Sequence, residues 1–143
     1  MKKLAFLILP FLLLPSYSLA KSFGDYQGAI YLQNYDGDTI RFDLPGYPPI
    51  AGDDIRVRVN GIETPEINGK CEKEKYDAQQ ARDMVADILK DAERIDLKNM
   101  KRGKYFRIAA DVIVDGENLA DILIEASVAI QYSGGKKTKN WCE

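Results

Sequence analysis

The chain has 143 residues, enough for one domain, with 29% charged side chains and a formal net charge of −2. It contains no histidine, which excludes imidazole general bases, histidine-ligated zinc and every Ser–His or Cys–His nucleophile pair. The mild acidity excludes a general electrostatic attraction to nucleic acid, so phosphate affinity has to come from a local cluster or a bound cation.

Residues 1–20 read as a secretory signal peptide. Lys2 and Lys3 form a positive start, Leu4 to Leu14 an apolar run, and Ser18-Leu19-Ala20 a small-residue cleavage site. The run is short for a membrane span and Pro10 interrupts it. The expectation is an exported protein, periplasmic or secreted, with no membrane segment in the mature form. Lys2 and Lys3 account for two of the 20 basic residues, so the remainder carries 22 acidic against 18 basic side chains. Residues 21–143 are then the single folded domain.

Lys21 to Gln27 reads as a mobile lead-in. Ala29 to Tyr35 predicts a strand with Ile30 and Leu32 on its apolar face. Asp36-Gly37-Asp38 is a turn signal, and Thr39 to Leu44 a second strand with Ile40, Phe42 and Leu44 together. Pro45 to Pro49 is a loop. Ile55 to Val59 is a third strand, Arg56 and Arg58 opposing Ile55, Val57 and Val59. Thr64-Pro65-Glu66 is a capped turn, and the long amphipathic helix begins near Glu72 to Lys75, with Ala78, Ala81, Val85, Ile88, Leu89 and Ala92 as its stripe. Arg94 to Lys98 is a short strand, Asn99 to Gly103 a turn, and Tyr105 to Val114 the longest strand. Leu119 to Ala126 is a second helix and Ala129 to Tyr132 is extended. The run Lys136-Lys137-Thr138-Lys139 after Gly134-Gly135 reads as a solvated tail, with a phosphate-backbone contact as the alternative. Three strands, a helix, two strands and a helix is the order of an OB-fold barrel.

Two cysteines, Cys71 and Cys142, behind an export signal predict a disulfide. The chemistry concentrates after the third strand. Arg58 is followed by two carboxylates, Glu63 and Glu66, an arrangement that can hold a phosphate beside a hard metal. A phosphodiester under attack by water gains negative charge on its equatorial oxygens. Arginine forks and an oxygen-ligated cation answer that charge, and a carboxylate can take the proton of the water. Without histidine, Glu66 is the natural base.

Three motifs stand in order: Asp36-Gly37-Asp38-Thr39, Arg58 with Gly61-Ile62-Glu63-Thr64-Pro65-Glu66, and Lys104-Tyr105-Phe106-Arg107. On these the chain resembles the staphylococcal-nuclease-like (thermonuclease) family, in particular its small exported bacterial members. The resemblance implies an α+β fold, a five-stranded OB-fold barrel with packed helices. It implies a Ca²⁺-dependent, sugar-non-specific endonuclease, a phosphodiester hydrolase acting on DNA and RNA and leaving 3′-phosphates; the chain is expected to be a monomer. It assigns Asp38, Glu63 and the carbonyl of Thr64 to calcium, and Arg58, Glu66 and Arg107 to catalysis. Lys104, Tyr105 and Tyr132 would contact substrate. The chain departs from the family in Glu63, where aspartate is usual, in Phe106, where glycine is usual, and in its acidity. The rival readings are a catalytically silent OB-fold nucleic-acid-binding module and a simple calcium-binding periplasmic protein.

Overall fold

The computed structural model describes residues 22–103, 107–137 and 139–143. The predicted signal peptide at 1–20, with Lys104 and Tyr105 of the expected substrate contacts, lies outside the described residues. The elements are β1 (Tyr26–Gln27), β2 (Ile30–Asn34), β3 (Thr39–Asp43), α1 (Pro49–Gly52), β4 (Ile55–Val59), β5 (Ile62–Glu63), α2 (Glu72–Asp91), β6 (Ile95–Arg102), β7 (Ile108–Val114), β8 (Glu117–Asn118), α3 (Leu119–Glu125) and β9 (Ile130–Gln131).

The five long strands β2, β3, β4, β6 and β7 are those expected for the barrel. The sheet runs β1-β6-β7-β4-β3-β2, with β4 and β7 parallel and the other neighbours antiparallel. β1 and β2 are one stretch of chain bent at Gly28, whose φ is +76°. Its first half pairs with β6 and its second with β3. The Ala29 N–H also donates to the Ile95 carbonyl at 2.8 Å. The bend therefore joins the two ends of the sheet and closes the barrel, as an OB-fold does. Tyr26 and Gln27 are thus part of the wall rather than the expected mobile lead-in.

The core follows the alternation read from the sequence on β3, β4 and β7. Ile40 and Phe42, Val57 and Val59, and Ala110 and Val112 are all buried, with Leu97 of β6 among them. β2 departs from expectation. Ile30 and Leu32 are exposed, and Ala29 and Tyr31 face the core instead. Pairing of Tyr31 with Phe42 fixes this register, their rings edge-on at 6.4 Å, and the Tyr31 hydroxyl donates to Asn34 Oδ1 at 2.6 Å. A partly buried aromatic ring with a satisfied hydroxyl, packed against the core, removes more apolar area from water than Leu32 would.

The turn expected over Asn99–Gly103 is absent. β6 continues to Arg102 across a bulge between Lys98 and Lys101, where Asn99 takes φ +51°. The Asn99 N–H donates to Asp25 Oδ1 at 2.8 Å and its amide to Asp111 Oδ2 at 2.6 Å, so the bulge is held by hydrogen bonds from both sides.

Helix α2 begins at Glu72, with Cys71 at its N-cap, Glu72 and Glu74 in its first turn and Lys90 in its last, charges that complement the helix dipole. Ala78, Ala81, Val85 and Leu89 form its buried stripe. Asn118 caps α3, its side-chain oxygen accepting from the Ala120 N–H at 2.9 Å. After α3 the chain reverses at Ser127 (φ +60°) and β9 pairs with β5, Ile130 opposite Glu63. No helix among the described residues is long and apolar enough to cross a membrane.

Candidate active site and metal centre

The Asp36-Gly37-Asp38 turn is built by its first residue. The Asp38 and Thr39 N–H groups donate to Asp36 Oδ1 at 3.0 and 2.7 Å. Asp36 is thereby committed to holding the turn. A Cβ on Gly37 would lie 2.8 Å from Thr64 Cγ2 and 3.0 Å from Ala81 Cβ. Only glycine lets the turn press against the Glu63-Thr64 segment and helix α2. Asp38, Glu63 and Thr64, the three expected metal ligands, are all buried.

Arg58 stands on the polar face of β4, opposite Thr39 in the ladder with β3. That register brings its Nη1 to 2.8 Å from Asp38 Oδ1, which also accepts from the Thr39 hydroxyl at 3.1 Å. Burial, and then the charge of Asp36, push the Asp38 carboxyl up to about 6; Arg58 and the Thr39 hydroxyl oppose this and Glu66 adds to it. The carboxylate is therefore poised to gain from a further positive charge.

Glu66 follows the Thr64-Pro65 turn. Its loop is shaped by Glu74, a buried residue that sequence reasoning missed. Glu74 Oε2 accepts from the Lys70 N–H at 2.8 Å, and its side chain fills the space a Cβ on Gly69 would need. The Gly69 N–H donates to the Glu66 carbonyl at 2.9 Å. The only advance signal was an acidic residue in the first helical turn.

Arg58, Glu66, Arg107 and Tyr132 line one open groove of about 1050 Å³. This lies at the upper end for small-molecule pockets and suits a strand of substrate. Asp38 and Glu63 are buried beneath it and connect to it through Arg58 and Lys137. Arg107 lies just before β7, not within it. The groove also holds Arg41, Arg56 and Arg82, none singled out from the sequence. Arg41 pairs with Asp54 and Arg82 with Asp83, and Arg41 lies directly opposite Arg56 across the β3–β4 ladder. Like charges face to face on a ladder are unfavourable, and Asp54 offsets the charge of Arg41.

Lys137, expected in a solvated tail, comes back to the site. Its ammonium bonds Glu66 Oε1 and lies 3.5 Å from Glu63 Oε1. Partial burial works against its charge, but the hydrogen bond and charge of Glu66, with Glu63 and Asp38 adding, raise its pKa above the ordinary lysine value. The local sequence marked a basic run but not its carboxylate partners, because the fold around Tyr132 decides where the tail goes. The Tyr132 N–H donates to the Gly61 carbonyl at 2.8 Å and its hydroxyl to the Gly135 carbonyl at 2.6 Å. Cys71 and Cys142 form the expected disulfide, Cα–Cα 6.0 Å, and fix the end of the same tail.

The family model for staphylococcal nuclease homologues matches residues 56–141. The chain belongs to the staphylococcal nuclease homologue family. The match takes in Arg58, Glu63, Glu66 and Arg107, and the barrel is the OB-fold of that family. Staphylococcal nuclease homologues are in general hydrolytic nucleases that act on nucleic acids and depend on calcium. No curated protein matches the chain.

The donor set suits that metal. Two carboxylates and a backbone carbonyl are hard oxygen ligands. Glu63 Oε2 is buried with no hydrogen-bond partner, an atom that a cation would satisfy.

Proposed function

We propose that the protein is a calcium-dependent, sugar-non-specific endonuclease that hydrolyses phosphodiester bonds of DNA and RNA. The observation that carries this reading is the meeting of Arg58, Arg107 and Glu66 in one groove above the buried Asp38–Glu63 pair. The arginines hold the scissile phosphate by charge-assisted hydrogen bonds that strengthen as its equatorial oxygens gain charge. Glu66 takes the proton of a water attacking phosphorus. The P–O5′ bond breaks, the 5′ oxygen takes up a proton, and the phosphate stays on the 3′ side. Asp38, Glu63 and the Thr64 carbonyl would hold the calcium, which supplies further positive charge beside the phosphate when bound. Grasping substrate by its phosphate leaves the sugar unread, which supports action on both nucleic acids.

The Cys71–Cys142 bond supports an exported protein, since such bonds persist in oxidising compartments. We read residues 1–20 as the signal and residues 21–143 as a monomeric nuclease domain. One observation favours the silent binding module: the Glu66 carboxylate is already engaged by Lys137. The deciding experiment incubates protein lacking residues 1–20 with single-stranded DNA, double-stranded DNA and RNA, with Ca²⁺ and with chelator. Cleavage of all three with Ca²⁺, stopped by chelator, supports the nuclease. Tight binding without cleavage under any divalent ion establishes the silent module.

A further inference from the structure

Lys137 is a cation of the groove that the proposed reaction does not use, and it bonds the Glu66 carboxylate that the reaction does use. The segment carrying it is held at both ends. Tyr132 anchors the near end through Gly61 and Gly135, and the chain bends at Gly134 and Gly135, with φ +98° and +94°. At the far end Trp141 is buried and Cys142 is bonded to Cys71 at the start of α2. Between these anchors the ammonium reaches Glu66 and Glu63, while Glu63 Oε2 stays without a hydrogen bond.

An ammonium is a compact point charge with three donors, and it occupies an oxygen cluster much as a hard cation does. It brings only a single charge, and it leaves one buried oxygen of Glu63 unmet. Calcium brings two charges and accepts six to eight oxygens. The tether keeps the ammonium at high local concentration, so a free ion competes with an intramolecular partner.

We propose that Lys137 is a tethered counter-ion of the carboxylate cluster, which a divalent cation must displace to enter, so that the anchored tail sets the calcium concentration at which the site fills. The inference rests on the calcium site proposed above. Displacement has a second effect: it frees the Glu66 carboxylate, so filling of the site and release of the base become one event.

The test is calorimetric titration of Ca²⁺ into the protein without nucleic acid. Lys137→Gln should bind Ca²⁺ about tenfold more tightly, the scale of a lost charge-assisted hydrogen bond. Lys136→Gln removes the same charge from an exposed neighbour and should shift affinity by about twofold at most, as distant screened charges do. Reduction of the disulfide should tighten binding by the unmodified chain and leave Lys137→Gln unchanged, since it frees a tether that then carries no cation. Equal affinity in the unmodified chain and Lys137→Gln overturns the inference and leaves the calcium site standing. Weaker binding by Lys137→Gln also overturns it, making Lys137 an organiser of the cluster. Failure of both proteins to take up Ca²⁺ removes the calcium site, and the inference with it.

Discussion

Asp38 sits between opposed influences, and the sign of its shift has a consequence. Its folded pKa, about 6, lies above the ordinary 3.8. Metal-free folded protein therefore holds more protons than the unfolded chain between these values, and the ionised carboxylate weakens the fold increasingly as pH rises from 3.8 to about 6. A calcium ion bound at the proposed site would favour the ionised form and expel the proton. Ca²⁺ uptake should release about half a proton per ion near pH 6 and almost none at pH 8. Calorimetry in two buffers of different ionisation enthalpy reads this directly, and equal release at both pH values would remove Asp38 from the metal site. In the groove, Arg58→Ala, Arg107→Ala and Glu66→Gln should each lower turnover by about a hundredfold or more, as loss of a transition-state donor does. Their circular-dichroism melting should stay cooperative, because none of the three belongs to the apolar core. Normal activity in any one of them removes that residue from the mechanism. Glu63→Asp should retain activity, while Glu63→Ala should raise the calcium needed for half-maximal rate, one anionic ligand being lost. An unchanged calcium dependence in Glu63→Ala would show that Glu63 is not a ligand. The sequence suggested these roles because each residue stands at a fixed offset in a short motif. It did not suggest those of Lys137, Glu74 and the arginines at 41, 56 and 82, because their roles depend on which strands and loops the fold brings together.

At the scale of elements, Gly37 has a part that its turn signal concealed. The sequence marks it as hairpin chemistry, yet what glycine provides is close approach to Thr64 and Ala81. Gly37→Ala should cost about 1–3 kcal/mol, the range for overpacking a filled site, measured by urea denaturation. It should also weaken Ca²⁺ binding by moving Asp38 from Glu63. Unchanged stability and metal affinity would mean the turn has room to spare. The strands with strict alternation, β3 and β4, were readable because one face of each is fully covered. β2 was misread because two aliphatic residues outweighed one tyrosine in the pattern, whereas cross-strand pairing with Phe42 decided the register. β6 was cut short because Asn99 resembles a turn residue. Asp25 and Asp111, remote in sequence, convert it into a bulge inside a continuous strand.

Over the whole molecule, the disulfide spans a sequence separation of 71 residues. Closing so long a loop in the unfolded chain contributes about 4 kcal/mol in the chain-entropy model. Reduction should lower Tm markedly without abolishing cleavage, since neither sulfur belongs to the groove. An unchanged Tm after verified reduction would show that the bond restrains only the tail.

The parallel ladder between β4 and β7 has a further consequence, in the order of events by which the groove is assembled. Val57–Val59 meets Ile108–Ala110, partners roughly fifty residues apart, the kind of non-local pairing that forms late because loop-closure entropy must be met first. Arg58 is on one of these strands and Arg107 is next to the other. A nascent chain that ends before Arg107 has Glu63, Glu66 and Arg58 but neither Arg107 nor the strand that pairs with β4. The groove is therefore completed only after Arg107 and β7 have been synthesised and folded against β4.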